Sequence, residues 1–232
     1  MTAARAFVLH QTRLRPVPGL PGIRLHLADD VLALWGAVQA ATGEPDAPLP
    51  YWAFAWAGGL AIAHYLVDHP ETVADARVVD VASGSGLCAL AALGAGARTV
   101  EAIDVDPLAA AAISLNARAA GRRLAVVRRD VLDEDPPPAD VILAGDCCYE
   151  ADLAARVLPW LRRAADRGTR ILLGDPGRRY LPRAELIELA GYEVRTTTEL
   201  EDLARKQAAV YSLAPSALAP SALAPAALAP KR

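Results

Sequence analysis

Cysteine is scarce here, with three residues in 232: Cys88, Cys147 and Cys148. That set cannot build a disulfide framework. The adjacent Cys147-Cys148 pair also has no second Cys or His group at metal-ligand spacing. Small buried residues at a strand end are therefore expected in place of a metal site, and the setting is expected to be reducing and cytoplasmic. Long apolar runs are missing as well: none approaches the ~20 residues that span a bilayer. Residues 1–28 lack the compact apolar core of a secretory signal. They hold several arginines and no acid, as a transit peptide would, but prolines at 16, 18 and 21 make a poor amphipathic helix, so import is not expected. Nor does one sign of charge dominate. With 24 Lys and Arg against 27 Asp and Glu, the net charge of −3 gives no general attraction to nucleic acid or acidic membranes.

What is present is 53% apolar content over a length that suits one α/β domain with additions. The organising stretch is Val78-Val79-Asp80-Val81-Ala82-Ser83-Gly84-Ser85-Gly86-Leu87. Val78, Val79 and Val81 read as a strand covered on both faces. Gly84 and Gly86 let a ligand approach the backbone closely, and Leu87 to Leu93 reads as a helix. Such a unit makes a nucleotide-type pocket at the carboxyl edge of a parallel sheet.

Two cofactor classes fit that unit. Gly84-Ser85-Gly86-Leu87-Cys88-Ala89 matches a relaxed dinucleotide fingerprint, and Asp104 follows about 20 residues on. Asp80 separates the two. Beside a helix N-terminus that faces a pyrophosphate, a carboxylate would repel the ligand. S-adenosylmethionine has no phosphate; it carries an ammonium and a sulfonium, which a carboxylate attracts. Asp80 therefore favours S-adenosylmethionine over a nicotinamide cofactor.

Elsewhere the chain alternates helix and strand. Residues 1–27 read as extended, with a proline-broken turn near Pro16–Gly22. A helix capped by Asp29 or Asp30 is expected from Val31 to Ala41, with Leu32, Leu34, Trp35 and Val38 as its packing stripe. Trp52, Phe54 and Trp56 crowd into five residues of a chain with only four Trp and two Phe. They read as core or as a wall of the cofactor pocket, with Gly58-Gly59 allowing close approach. Strands follow at Arg77–Val81, Thr99–Ile103, Leu124–Val127, Asp140–Ala144 and Arg170–Leu173. A helix is expected at Arg183–Leu189, then a final antiparallel pair at Tyr192–Thr196 and Ala208–Leu213. Each of the five strands ends near an acid: Asp80, Asp104, Asp130, Asp146, Asp175. In a parallel sheet these line one rim, which would prefer a cationic ligand. From Leu213 the chain repeats Ser-Ala-Leu-Ala-Pro and reads as a disordered tail. The expected division is an N-terminal extension with one helix (1–50), the main domain (51–213) and the tail (214–232).

Asp80-x-Ala-Ser-Gly-Ser-Gly, the Asp104-Val-Asp-Pro turn and Asp146-Cys-Cys-Tyr149 resemble class I S-adenosylmethionine-dependent methyltransferases. Asp-x-x-Tyr after the fourth strand is the signature of the family 16 protein lysine methyltransferases. Pro50-Tyr-Trp-Ala-Phe-Ala-Trp-Ala-Gly-Gly59 and Gly174-Asp-Pro-Gly-Arg178 resemble the electron transfer flavoprotein β-subunit lysine methyltransferase branch. The resemblance covers roughly residues 7–213. It implies a Rossmann-like seven-stranded sheet, mostly parallel with a final antiparallel strand, and a protein substrate presenting a lysine, on that β subunit or a ribosomal protein. It also implies roles for single residues. Asp80 and the Ala82-Ser83-Gly84-Ser85-Gly86 turn would hold the methionine end, and Asp104 the ribose hydroxyls. Asp130, with Val131 beside it, would bond the adenine amino group, and Trp56 would lie near the cofactor. Asp146 and Tyr149 would border the methyl-transfer point, Asp146 capturing and orienting the ammonium while the proton leaves to water. The chain departs from the family at Ala82, where the first glycine of Gly-x-Gly-x-Gly is usual; weakened cofactor binding is expected. A small-molecule amine or pyridine N-methyltransferase and a non-catalytic S-adenosylmethionine-binding protein remain as alternatives.

Overall fold

The computed structural model describes residues 2–196 and 205–213; the repeat tail read at 214–232 lies outside the described residues. Helix α1 (Ala3–Gln11) opens the chain, followed by an antiparallel hairpin of β1 (Arg13–Val17) and β2 (Leu20–Leu27) and then α2 (Val31–Thr42). The main domain runs α3 (Ala57–Asp68), β3 (Arg77–Val81), α4 (Leu87–Gly94), β4 (Thr99–Asp104), α5 (Pro107–Ala119), β5 (Ala125–Arg128), β6 (Val141–Gly145), α6 (Ala151–Asp166), β7 (Arg170–Asp175), β8 (Leu186–Arg195) and β9 (Arg205–Leu213).

These last seven strands form one sheet in the order β5-β4-β3-β6-β7-β9-β8. The first five are parallel, and β9 joins β7 and β8 antiparallel. The chain moves outward from β3 to β5, then returns to the other side of β3 with β6. That reversal opens a crevice beyond the carboxyl ends of β3 and β6, where open α/β sheets bind ligands. Two core layers cover the sheet. Val78, Val141 and Leu143 meet α3 and α4 on one face; Val79, Val81, Ile142 and Ile171 meet Val157, Trp160 and Leu161 of α6 on the other. The alternation of successive side chains puts Asp80 on the α4 side with Val78. A third layer packs Val8, Val31, Leu34 and Val38 of the N-terminal helices with Trp52 and Phe54 against α5.

Three expectations are corrected. Residues 3–11, read as extended, form α1: Thr2 caps it by accepting the Arg5 amide, and Val8 is fully buried. The prolines that suggested extended chain begin only at Pro16, and there the hairpin does form. In α2, Leu34 and Val38 are core but Leu32 is 69% exposed, so the stripe is narrower than read. Residues 183–189 were expected to be a helix. Only Arg183–Glu185 makes a single 3-10 turn, after which Leu186 enters β8 and pairs with Leu213 of β9. Helix-prone Glu and Leu there yield to the hydrogen bonds and packing of a completed sheet edge. Among the described residues no helix is long and apolar enough to cross a membrane.

Candidate active site

The crevice is a cavity of about 520 Å³. Its floor is the turn after β3. Ala82 and Gly84 adopt positive φ, +51° and +54°, before Gly86 caps α4 at +80°. Of the expected site residues, Trp56, Asp80, Ala82, Ser83, Gly84, Asp104, Asp130, Val131, Asp146 and Tyr149 all line this cavity. Gly86 does not. A Cβ there would sit 3.3 Å from the Ile113 side chain, so this glycine serves the turn and its packing on α5, not ligand contact.

The acids are individually held. Asp80 is 1% exposed; its Oδ2 accepts from the Ser83 hydroxyl at 2.5 Å and the Ala89 amide at 3.1 Å. Burial pushes its carboxyl up to about 7, the two hydrogen bonds opposing this and Asp104 adding to it. Asp104 Oδ2 accepts from Gly84 N at 2.8 Å and Oδ1 from Asp106 N at 2.9 Å, and burial raises its carboxyl too. Asp106 caps α5 through Leu108 N, with Pro107 in the first turn, where its missing N–H costs nothing. Asp130 accepts from Leu132 N and from Arg156 of α6 at 2.9 Å. Asp146, at φ +54°, accepts from Gly59 N at 2.8 Å and from Arg178 at 2.9 Å. Gly59 lies in the first turn of α3, so this carboxylate sits where the helix N-terminus favours an anion.

Two readings of the rim change. Asp175 does not face the cavity. It is fully buried, and its Oδ1 accepts the Gly177 and Arg178 amides in a tight loop. Its Oδ2 has no partner among the described residues, and burial raises its carboxyl. The close approach expected at Gly58 is made by a strand, not by a ligand: a Cβ on Gly58 would lie 2.2 Å from the Gly174 carbonyl oxygen. Gly59 does line the cavity.

One wall is aromatic. Tyr51 lies 5.6 Å from Trp56 and 5.0 Å from Tyr149 between ring centroids, and the Trp56 indole donates to Tyr51 O at 2.8 Å. Burial, with Tyr51 and Glu150 nearby, holds the Tyr149 phenol well above its ordinary value. It therefore stays neutral and can donate a hydrogen bond, but is no base near neutral pH. Tyr51, Trp52, Arg156 and Arg178 join the site without an individual role having been read for them. The aromatic cluster at 51–56 was the signal for the first two. Arg178 reaches the site from the loop after β7, whose Gly174-Asp-Pro-Gly-Arg178 motif marked the segment but not the side chain's reach, and Arg156 comes from α6 with no such mark.

The residues fit S-adenosylmethionine. Asp80 already accepts the Ala89 amide in the first turn of α4, the place a pyrophosphate would need. A cationic ligand meets carboxylate there instead. Trp52 lines the cavity, and its buried indole N–H has no partner among the described residues. At Ala82, a residue with a Cβ in the left-handed region carries about 1–2 kcal/mol of strain. Ala82→Gly removes it against about 0.4–1 kcal/mol of added unfolded-chain entropy. The variant is expected to melt about 2 °C higher by thermal denaturation; a lower melting temperature would mean the alanine methyl contributes packing that outweighs the strain.

Residues 66–146 match the family model for the ribosomal protein L11 methyltransferase (PrmA). The electron transfer flavoprotein beta subunit lysine methyltransferase of Xenopus laevis is 33% identical over 220 residues, covering 92% of this chain and 88% of that one. Its Mus musculus counterpart is 37% identical over 172 residues, covering 72% and 68%. In fold, PH1948 from Pyrococcus horikoshii, described as a proposed RNA methyltransferase, is similar with a TM-score of 0.54 at 14% identity, over 78% of this chain and 98% of that one. The acidic, aromatic-walled crevice at the β3–β6 reversal and the identity along most of the chain agree: this chain belongs to the electron transfer flavoprotein beta subunit lysine methyltransferase family, within the class I S-adenosylmethionine-dependent methyltransferases.

Proposed function

We propose that this protein methylates a lysine ε-amine on the β subunit of an electron transfer flavoprotein, acting in the cytoplasm and without nucleic-acid or membrane partners. The observation that carries this reading is Asp146. Its carboxylate lines the cavity together with Tyr149, Tyr51 and Trp56, so an anion and an aromatic wall border one space. Such a seat suits a long aliphatic stem ending in nitrogen. S-adenosylmethionine, held at this crevice, would supply the electrophile, a methyl on a sulfonium, for the lysine amine to take up. The protein's part is alignment and exclusion of water. Asp80 and residues Ala82 to Ser85 of the turn are the proposed hold on the methionine end, Asp104 on the ribose, and Asp130 with Val131 on the adenine. A ribosomal protein is the second candidate substrate, favoured by the L11 methyltransferase match over residues 66–146.

Transfer of labelled methyl from S-adenosylmethionine to the purified β subunit, and to an extract of cells lacking this gene, tests the proposal. Label on the β subunit supports it; label on a ribosomal protein alone selects the second substrate. Label confined to small molecules would overturn both.

Asp80 makes the cofactor step pH-dependent. Its raised carboxyl means the folded chain keeps a proton that the unfolded chain has already lost. That contribution to stability is full below about 3.8 and is lost as pH rises through about 7. A cationic ligand prefers the ionised form, so binding expels the proton. Affinity for S-adenosylmethionine is expected to rise several-fold from about pH 6 to 8, with proton release at the lower end. Calorimetry in buffers of different ionisation enthalpy reads both, and a flat profile without proton release would remove Asp80 from the cation's seat.

A further inference from the structure

The carboxylate that would meet the lysine already has a cation. Asp146 Oδ1 accepts from Arg178 Nη2 at 2.9 Å while Oδ2 accepts from Gly59 N. The Arg178 and Asp146 side chains are 23% and 10% exposed, so the pair is largely out of water. Arg178 itself lines the cavity; burial and Glu150 raise the Tyr51 phenol, and Arg178 is close enough for its charge to oppose that rise. Its position is fixed from below. The Arg178 and Gly177 amides donate to Asp175 Oδ1 at 2.6 and 2.7 Å, Gly177 turns at φ +90°, and the Asp175 carboxylate is buried at the root of the loop.

A lysine attacks only as the neutral amine, and with an ordinary pKa near 10.4 about one in 2,500 is neutral at pH 7. An unpaired carboxylate would make this worse, because it favours the ammonium; a nearby cation does the reverse. We propose that Arg178 sets the protonation state of the substrate lysine: by neutralising Asp146 and placing a guanidinium beside the amine's seat, it disfavours the ammonium. The amine then donates a hydrogen bond to Asp146 with its lone pair free. The proton leaves Nζ for water before transfer, the N–H bonding pair stays on nitrogen, and nothing is oxidised or reduced. Arg178 is thus a positioning residue acting through Asp146. The inference rests on the protein-lysine reading above and names how that same site is regulated by charge.

The test is the pH dependence of kcat and KM from about pH 6 to 10 for wild type, Arg178→Gln and Arg178→Lys, on the recombinant β subunit of the electron transfer flavoprotein. For Arg178→Gln the acid limb of kcat is expected to move up by about 1–2 pH units. At pH 7 kcat should fall about 10- to 100-fold with KM lowered as well, and rates should converge with wild type near pH 10. Arg178→Lys keeps the charge and should keep the wild-type limb. If Arg178→Gln does not fold, Arg178→Met carries the same expectation with the aliphatic stem retained. An equal loss at every pH, a raised KM or a limb shifted downward would overturn the proposal in favour of a packing role. Wild type that methylates no lysine at any pH would overturn the substrate reading itself.

Discussion

Asp146→Asn is expected to slow methyl transfer by about 100-fold or more and to leave S-adenosylmethionine affinity within about threefold, under about 0.7 kcal/mol. Asparagine keeps an acceptor for the Gly59 amide and tolerates the left-handed backbone at this position, φ +54°. The first turn of α3 and the loop after β6 therefore survive, and what disappears is the negative charge. Without it Arg178 faces the amine's seat uncompensated, and the amine loses the acceptor that orients it. Asp146→Ala is the blunter variant, since it also leaves the Gly59 amide without its acceptor in the interior, at about 1–3 kcal/mol. Single-turnover rates alongside calorimetry separate the two effects. Wild-type turnover in Asp146→Asn would show that the carboxylate is dispensable, and the site would need another reading.

Gly58→Ala is expected to be among the most destabilising single substitutions in the main domain. The new Cβ would lie 2.2 Å from Gly174 O, 2.6 Å from Gly174 C and 2.7 Å from Asp146 Oδ2. The first two are backbone atoms of β7 and cannot swing aside, so α3 must lift away from the sheet. A cost of about 4 kcal/mol or more follows, a fall of roughly 10 °C in melting temperature for a chain of this size. Gly174→Ala, whose Cβ would lie 2.1 Å from Gly58 O, should match it. Gly36 in α2 is the control: a Cβ there would meet nothing within 4 Å, and Gly36→Ala should stabilise by about 1 kcal/mol from helix propensity alone. Thermal denaturation of all three decides the matter; a Gly58→Ala melting temperature within a few degrees of wild type would mean the helix–strand contact yields cheaply. The same contact matters for function, because it delivers Gly59 to Asp146.

The amino-acid order alone determined the alternation of helix and strand from Arg77 to Asp175, the turn after β3, and the acids at the strand ends. These are short-range facts. β-branched runs, a capping aspartate before Pro107 and glycines at positive φ each act within a few residues, so they can be read locally. The preference for S-adenosylmethionine was legible for the same reason: Asp80 stands nine residues from the Ala89 amide it accepts.

Tertiary structure decided the rest. Which acids face one space depends on strand order and loop path, and Asp175, indistinguishable from its four counterparts in the sequence, turned inward to hold its own loop. Whether residues 186–195 would be strand depended on β9, a partner that arrives later in the chain. The purpose of Gly58 appeared only when β7 was laid against α3. Above all, the pairing of Asp146 with Arg178 joins residues 32 apart. Contacts of that kind depend on where several elements place two flexible side chains, and the electrostatics of the site, meaning which carboxylate meets the substrate bare and which meets it already neutralised, follow from that placement and not from composition.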